Sequence, residues 1–392
     1  MMRAQNTIFL LDSAPRNWCS QEDRHLEICR KLIANGARAI VVFSSKVPAH
    51  IEERFREIGV EVEAISYAKG IFNYLKELDV LVDKYEITTA HIIFFDYFSA
   101  MSWIAKTRRI KYLIYEMQNG GIFRAQSWKR ILLQMRNRLA TYPTSKVIAI
   151  SDFVKEQLIA GGVREDKIIV RHLGIDTERF QPSALARQQL EDEYGIGPNE
   201  LILSTVSYLK PIKNPQTIVE ACALLKNRNI PAHLFVAGDG EMMAELQELS
   251  RSLGIADRTH WLGMVPDPTA LLQATDLFIL ATVGEAFGLV LAESMACGAP
   301  VVGSRSGGIP EVVVDGETGL LVQPLDPSAL ADSIERLGKD TELRSRLSRQ
   351  GIKRAREHFS LDRAVQDTMA IYESMWSLEN KRDNGYRGVS RD

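Results

Sequence analysis

Two glutamates eight residues apart, Glu285 and Glu293, stand in a stretch that reads TVGEAFGLVLAESMACGAPVVGSRSGGIPEVVVDGETGLLV from Thr282 to Val322. Between them Phe287-Gly288-Leu289 opens a predicted helix that runs to Ala296 and is stopped by Gly298-Ala299-Pro300. A helix N-terminus presents unpaired N–H groups and a partial positive charge, which suits phosphate. Gly288 lets a ligand come close to the backbone. A second small-residue turn, Ser306-Gly307-Gly308-Ile309-Pro310-Glu311, opens another short helix. Two adjacent amide nests of this kind could hold a diphosphate. Carboxylates repel phosphate but accept hydrogen bonds from sugar hydroxyls, and this gives the two glutamates a separate task.

Such loops need strands and helices to hold them. Short apolar runs alternate with longer amphipathic segments along the whole chain. Predicted strands are Thr7–Leu11, Ala39–Phe43, Val60–Ile65, His91–Phe95, Tyr112–Tyr115 and Val147–Ile150, with helices between them. The rhythm restarts after a polar stretch, Arg187 to Pro198, read as irregular. Strands are then expected at Leu201–Val206, His233–Ala237, His260–Leu262, Leu277–Leu280, Val301–Gly303 and Leu320–Val322. This alternation indicates an α/β protein with parallel sheets covered by helices. The expected division is a first domain at 1–175, a second at 176–360, a helix at 361–380 that crosses back, and a disordered polar tail at 381–392. Ligands of open α/β sheets sit beyond the carboxyl ends of the strands, where these motifs fall.

The pattern E-A-F-G-L-x-x-x-E-S-M-A-C-G-x-P-V-V, followed by G-G-I-P-E and D-G-E-T-G-L-L-V, resembles the donor-binding domain of glycosyltransferase family 4. Lys213-Asn214, Gly238-Asp239-Gly240 and Leu262-Gly263 are similar to further family positions. Ser151 in AISDFV and Gly174-Ile175-Asp176 resemble its inter-domain region. The resemblance covers about residues 145–325 well, and the first 140 only in rhythm. It implies the GT-B fold, two Rossmann-like domains facing across a cleft, and a retaining enzyme that uses a nucleotide-diphosphate sugar. It implies catalytic parts for Lys213, which would neutralise the diphosphate, and for Glu285, which would hold the donor sugar. Glu293 would hold the ribose. Phe287, Gly288 and Leu289 would serve through their backbone, and Gly238, Gly307, Gly308 and Lys210 would complete the donor side. No metal is implied, and no D-x-D or histidine cluster offers one. No cofactor is expected, and UDP, GDP and ADP sugars are not distinguished.

The chain departs from the family in three places. Tyr208 stands where an arginine is usual, and Lys210 is the nearby substitute charge. The first loop, Ser13 to Ser20, lacks the usual Gly-Gly, which leaves Arg16 or Asn17 to meet a ligand. After the middle strand, Glu116, Gln118 or Asn119 takes the place of a histidine. Arg16, Gln118 and Asn119 are therefore the acceptor-side candidates, with a glycan, a lipid-linked precursor or a small molecule as acceptor. The same departures motivate a competing reading, a catalytically silent nucleotide-sugar-binding or scaffold protein of the same fold. An epimerase would need an acid/base pair that the motifs do not supply.

Composition narrows the classes. In 392 residues 48 basic side chains face 50 acidic ones, a net −2, which argues against bulk nucleic-acid binding. Four scattered cysteines support neither a disulfide scaffold nor a zinc knuckle. The apolar run near the start is too short for a signal-peptide core, and no 18-residue apolar stretch occurs. A cytoplasmic protein is expected, with a place at the inner face of the membrane left open. From Met117 to Ser151 there are six basic residues and no Asp or Glu. Within that span Trp128, Ile131, Leu132, Met135 and Leu139 recur at helical spacing. Either residues 124–146 touch an anionic membrane, or the apolar positions pack on the first sheet; the second reading is the expectation.

Overall fold

A computed structural model of the chain describes residues 5–15, 18–66, 70–93, 101–108, 110–118 and 127–386. The chain divides into two compact units, Met1–His172 with Asp362–Asp392, and Leu173–Leu361.

The first unit is built on seven strands: β1 (Thr7–Leu11), β2 (Ala39–Phe43), β3 (Glu61–Ala64), β4 (Thr89–Ile93), β5 (Tyr112–Met117), β6 (Lys146–Ala149) and β7 (Ile168–Val170). They lie parallel in the order β3-β2-β1-β4-β5-β6-β7. Residues of β1 and β2 are buried on both faces, as a parallel sheet covered on both sides requires. The crossovers are α1 (Ser20–Ala34), α2 (Ala49–Glu57), α3 (Ile71–Lys84), α4 (Met101–Thr107), α5 (Ser127–Ala140) and α6 (Asp152–Ala160). Ser151, singled out by its motif, caps α6: its hydroxyl accepts from the Val154 N–H at 3.0 Å.

One expectation fails here. Ile131, Leu132, Met135 and Leu139 of α5 are all more than half exposed and do not pack on the sheet. Helical spacing predicts that they share a face but cannot say where that face points.

The second unit begins with α7 (Ala186–Tyr194), then β8 (Leu201–Val206), α8 (Pro215–Asn227), β9 (Ala232–Ala237), α9 (Met243–Ser252), β10 (Thr259–Gly263), α10 (Thr269–Ala274) and β11 (Leu277–Leu280). It continues with α11 (Leu289–Ala296), β12 (Val301–Ser304), α12 (Ile309–Val312), β13 (Gly319–Val322), α13 (Pro327–Lys339) and α14 (Thr341–His358). Its six parallel strands run β10-β9-β8-β11-β12-β13. Leu201 and Leu203 of β8 enter a core shared with α8, α13 and α14, while Ile202 between them joins Phe235 and Leu271 on the other face. The stretch read as irregular carries α7. It holds few apolar residues, but Arg187 and Glu191 pair across one turn, as do Gln188 and Asp192, and Gly195 ends the helix with φ +66°.

The last helix, α15 (Leu361–Tyr386), returns to the first unit. Trp376 donates its indole N–H to the Thr89 hydroxyl at 3.2 Å, and the Tyr372 hydroxyl meets His91 Nδ1 at 2.6 Å. The helix runs on to Tyr386, so the first part of the tail expected to be disordered is helical; residues 387–392 lie outside the described residues.

Candidate functional site

In the second unit the strand order reverses between β8 and β11, since β8 leads outward to β9 and β11 to β12. Loops leaving the carboxyl ends of these two strands diverge there and open a crevice. Lys213 comes from the first loop and Glu285 from the second. The Lys213 ammonium donates to Glu285 Oε2 at 2.6 Å, with both side chains only partly exposed. Hydrogen bonds tie the two loops together beside this pair. The Val283 N–H and the Thr282 hydroxyl both donate to the Ile212 carbonyl at 2.9 Å. The Asn214 amide donates to the Ala281 carbonyl at 3.1 Å and to the Thr217 hydroxyl at 2.8 Å. Asn214 turns the chain into α8 with φ +50°, a conformation Asn tolerates better than most residues.

The neighbouring glycines are required by contact between backbones. A Cβ on Gly307, where φ is +57°, would lie 2.0 Å from the Glu285 carbonyl oxygen; one on Gly308 would lie 2.3 Å from that of Ala286. The Gly308 N–H donates to the Glu285 carbonyl at 2.8 Å. On the other side, a Cβ on Gly238 would lie 1.9 Å from the Ser207 carbonyl oxygen. The loops after β8, β9, β11 and β12 thus press together as one assembly. This corrects one sequence reading: the Gly308 amide, assigned to an open anion nest, is spent on its neighbouring loop, and the Ile309 N–H donates to the Ser306 carbonyl.

A pocket of about 310 Å³ opens between these loops. Its polar edge is formed by Ser207, Lys213, Glu285 and the backbone at Gly238, Gly288 and Leu289. Val206, Tyr208, Met264, Val265, Leu280 and Val290 give it an apolar wall. Gly288 precedes α11 with φ +93°, which turns the N-terminus of that helix toward the pocket. Glu293 is half-buried, one turn along α11 on the face that carries Leu289 and Val290.

Glu293 does not line this pocket, and other predicted donor residues also fall elsewhere. The Phe287 ring is buried and packs edge-on against Phe359 at 5.6 Å, so only its backbone is available to a ligand. Gly307 and Gly308 back the Glu285 loop and do not line the pocket. Lys210 does not line it either; its ammonium sits 5.7 Å over the Tyr208 ring. Sequence reasoning missed Met264 and Val265, which follow β10. The only signal was their place just after the Leu262-Gly263 motif.

In the first unit the predicted acceptor residues Arg16 and Asn119 lie outside the described residues. Gln118 is buried, and its amide donates to Glu116 Oε1 at 2.5 Å. Glu116 is fully buried between Arg24, which donates at 2.9 Å, and Arg171. His91 Nε2 lies 3.4 Å from it, and His25 Nε2 lies 3.2 Å from Arg24. Burial alone would raise the Glu116 pKa, but the two guanidiniums overcome it and hold the carboxyl well below its usual range. Burial brings Arg171 down to about 10 and lowers both histidines, so they stay neutral. Glu116 and Gln118 are therefore structural here.

Two doubly wound units, one with a ligand-sized pocket at its switch point, define the class of two-domain α/β proteins. Residues 186–354 match the model of the glycosyl transferases group 1, and residues 22–179 that of glycosyltransferase family 4. The chain belongs to the family 4 glycosyltransferases. It is similar to the putative glycosyltransferase EpsD of Bacillus subtilis, 31% identical over 63% of this chain and 67% of that protein. It is 38% identical to N-acetyl-alpha-D-glucosaminyl L-malate synthase of Bacillus anthracis over 47% of this chain, a match that spans about half (48%) of that enzyme. The fold is GT-B. Anabaena HepE in complex with UDP and glucose superposes with a TM-score of 0.80 at 21% identity, over 94% of this chain and all of that one. Sucrose-phosphate synthase from Thermosynechococcus elongatus gives 0.77 at 19% identity, over 95% and 100%.

Proposed function

We propose that this protein is a retaining glycosyltransferase that moves a sugar from a nucleoside-diphosphate donor to an acceptor hydroxyl of a glycan, a lipid-linked precursor or a small molecule. The observation that carries the reading is the Lys213–Glu285 pair at the switch-point pocket, beside the N-terminus of α11. The apolar wall around Tyr208 and Met264 suits a base. Glu293 is assigned to the ribose hydroxyls, the amides at Gly288 and Leu289 to the diphosphate, and Glu285 to the donor sugar.

As the glycosyl–oxygen bond breaks, its electron pair passes to the diphosphate. Lys213 and the helix N-terminus stabilise that growing charge without reorganising, the task a cation would otherwise perform. The acceptor oxygen attacks the same face of the sugar, and its proton goes to the leaving phosphate. Lys213 shifts its contact from Glu285 to the phosphates, which frees the carboxylate for sugar hydroxyls.

A thermal-shift panel of UDP, GDP and ADP sugars tests the donor site, because a ligand bound only to the native state raises its melting temperature. One nucleotide is expected to stabilise strongly. Glu293→Ala should weaken it about ten-fold or more, the worth of charge-assisted hydrogen bonds. Lys213→Ala should lower turnover by about 10²–10³-fold, as removing a donor to a developing charge does. A shift unchanged in Glu293→Ala would end the ribose assignment. The second reading, a silent binding protein, is favoured by Tyr208 at the pocket edge with Lys210 drawn over its ring. It predicts the same shift with no release of nucleoside diphosphate on any acceptor.

A further inference from the structure

Helix α5 turns most of its large apolar side chains outward. Its inward side holds the partly buried Leu133 together with polar groups: Gln134 donates to the Ala160 carbonyl at 2.9 Å, and the fully buried Asn137 donates to that of Gly161 at 2.7 Å. The Thr141 hydroxyl, also buried, donates back to the Asn137 carbonyl. The contact is close, since a Cβ on Gly162 would lie 2.5 Å from the Gln134 backbone. Outward stand Ile131, Leu132, Met135 and Leu139, each 57–61% exposed. At 3.6 residues per turn these four fall within an arc of about 100°, the width of a buried stripe. The stripe continues past the end of the helix. Tyr142 is 63% exposed and stacks on Trp103 at 6.1 Å, and the Trp103 indole N–H is anchored on the Leu139 carbonyl at 2.9 Å.

A contiguous apolar face of this kind marks a contact surface, and its charge says with what. Arg136 borders the stripe on one side and Arg138 on the other, and both are exposed, as is Arg130. No Asp or Glu occurs between Met117 and Ser151. A second copy laid face to face on α5 would set Arg136 and Arg138 against their own kind, and the helix carries no Asp or Glu of its own to answer them. An anionic bilayer meets both demands: its headgroups pair with the arginines while the acyl boundary takes the apolar side chains.

We infer that the exposed face of α5, with Trp103 and Tyr142, seats the first unit on an anionic lipid surface. This does not depend on the donor assignment. No helix among the described residues is long and apolar enough to cross a membrane, so the contact is a peripheral one. Flotation of the full chain with vesicles of phosphatidylglycerol and phosphatidylcholine, and with phosphatidylcholine alone, tests it. The protein should float with the first and not with the second, and less at high salt. Leu132→Glu/Met135→Glu should abolish flotation; both side chains are exposed, so a retained melting temperature shows that the fold is intact. Arg136→Glu/Arg138→Glu, the two arginines that border the stripe, should weaken binding about ten-fold or more, the effect of losing two basic contacts at a charged surface. Wild-type protein that stays in solution overturns the inference, and so does an apolar-face variant that floats as well as wild type. A lipid-free change of mass in that variant, seen by light scattering, would assign the face to a second copy and overturn it too.

Discussion

The two units share a strand order and use the carboxyl ends of their strands in opposite ways. In the second unit, the loops after β8 and β11 hold Lys213 and Glu285 at the edge of an open pocket. In the first, the polar group at the end of β5 is turned inward. Glu116 is fully buried, with Arg24, Arg171 and Gln118 all donating to it. The same topology thus carries one ion pair at the edge of an open pocket and another buried within the unit. What separates them is access. Lys213 and Glu285 reach solvent, whereas two arginines closed over one buried carboxylate leave no face for a ligand.

Glu116→Gln should have the largest effect on stability. It leaves two buried guanidiniums without a counter-charge, and breaking a buried pair from one side costs about 3–5 kcal/mol. The first unit should melt far earlier, while nucleotide still stabilises the second. Calorimetry with and without the nucleotide that the panel identifies would resolve the two transitions. Equal loss in both units would show that the cluster does not serve the first unit alone.

Gly307→Ala should be next, and it probes the pocket side. A side chain at φ +57° costs about 1–3 kcal/mol through conformation alone. Its Cβ would also press on the Glu285 carbonyl and push the carboxylate loop away from Lys213. Gly316 is the control, with φ +75° and nothing within 4 Å of a Cβ. Both alanine variants should lose stability, but only the one at 307 should also lose nucleotide affinity, measured by titration calorimetry. Equal affinity in the two would mean that the packed loops do not set the pocket.

These two positions also show what a sequence reveals. Gly307-Gly308 was visible because a close approach of backbones forces a local choice of residue. The pairing of Lys213 with Glu285, 72 residues apart, was not, because only the strand order brings their loops together. The Glu116 cluster was hidden for the same reason, drawing on α1, β4, β5, the residue after β7 and, through Tyr372, on α15. The alternation of strands and helices read correctly for most elements because apolar period is local. It failed at α7, which is held by polar pairs along its own turns. It failed again at α5, where the period was right and its direction was not.

The smallest effect should appear with acid, and it falls on the first unit. His25 and His91 are fully buried there, and burial lowers both pKa values, that of His25 far below the ordinary 6.5. Arg24 beside His25 pushes the same way, while Glu116 beside His91 only partly offsets the loss of solvent. Well above about pH 6.5 the histidines are neutral in both the folded and unfolded chain and do not affect stability. As pH falls below that value the unfolded chain takes up protons that the folded one refuses. Each such proton lowers stability by about 1.4 kcal/mol per pH unit until the folded pKa is reached. Glu116 works in the same sense at lower pH, because its carboxyl is depressed in the fold and protonates first in the unfolded chain. In the second unit His260 is only partly withdrawn from solvent and is lowered mainly by burial, and the depressed carboxylates Glu200, Asp267 and Glu335 act, like Glu116, at lower pH. The transition of the first unit should therefore fall faster between pH 7 and 5 than that of the second. His91→Gln, which can still bond the Tyr372 hydroxyl, should flatten the slope at a small cost at pH 8. A slope left unchanged by that variant would move the acid sensitivity away from the Glu116 cluster and remove one of the two differences drawn between the units.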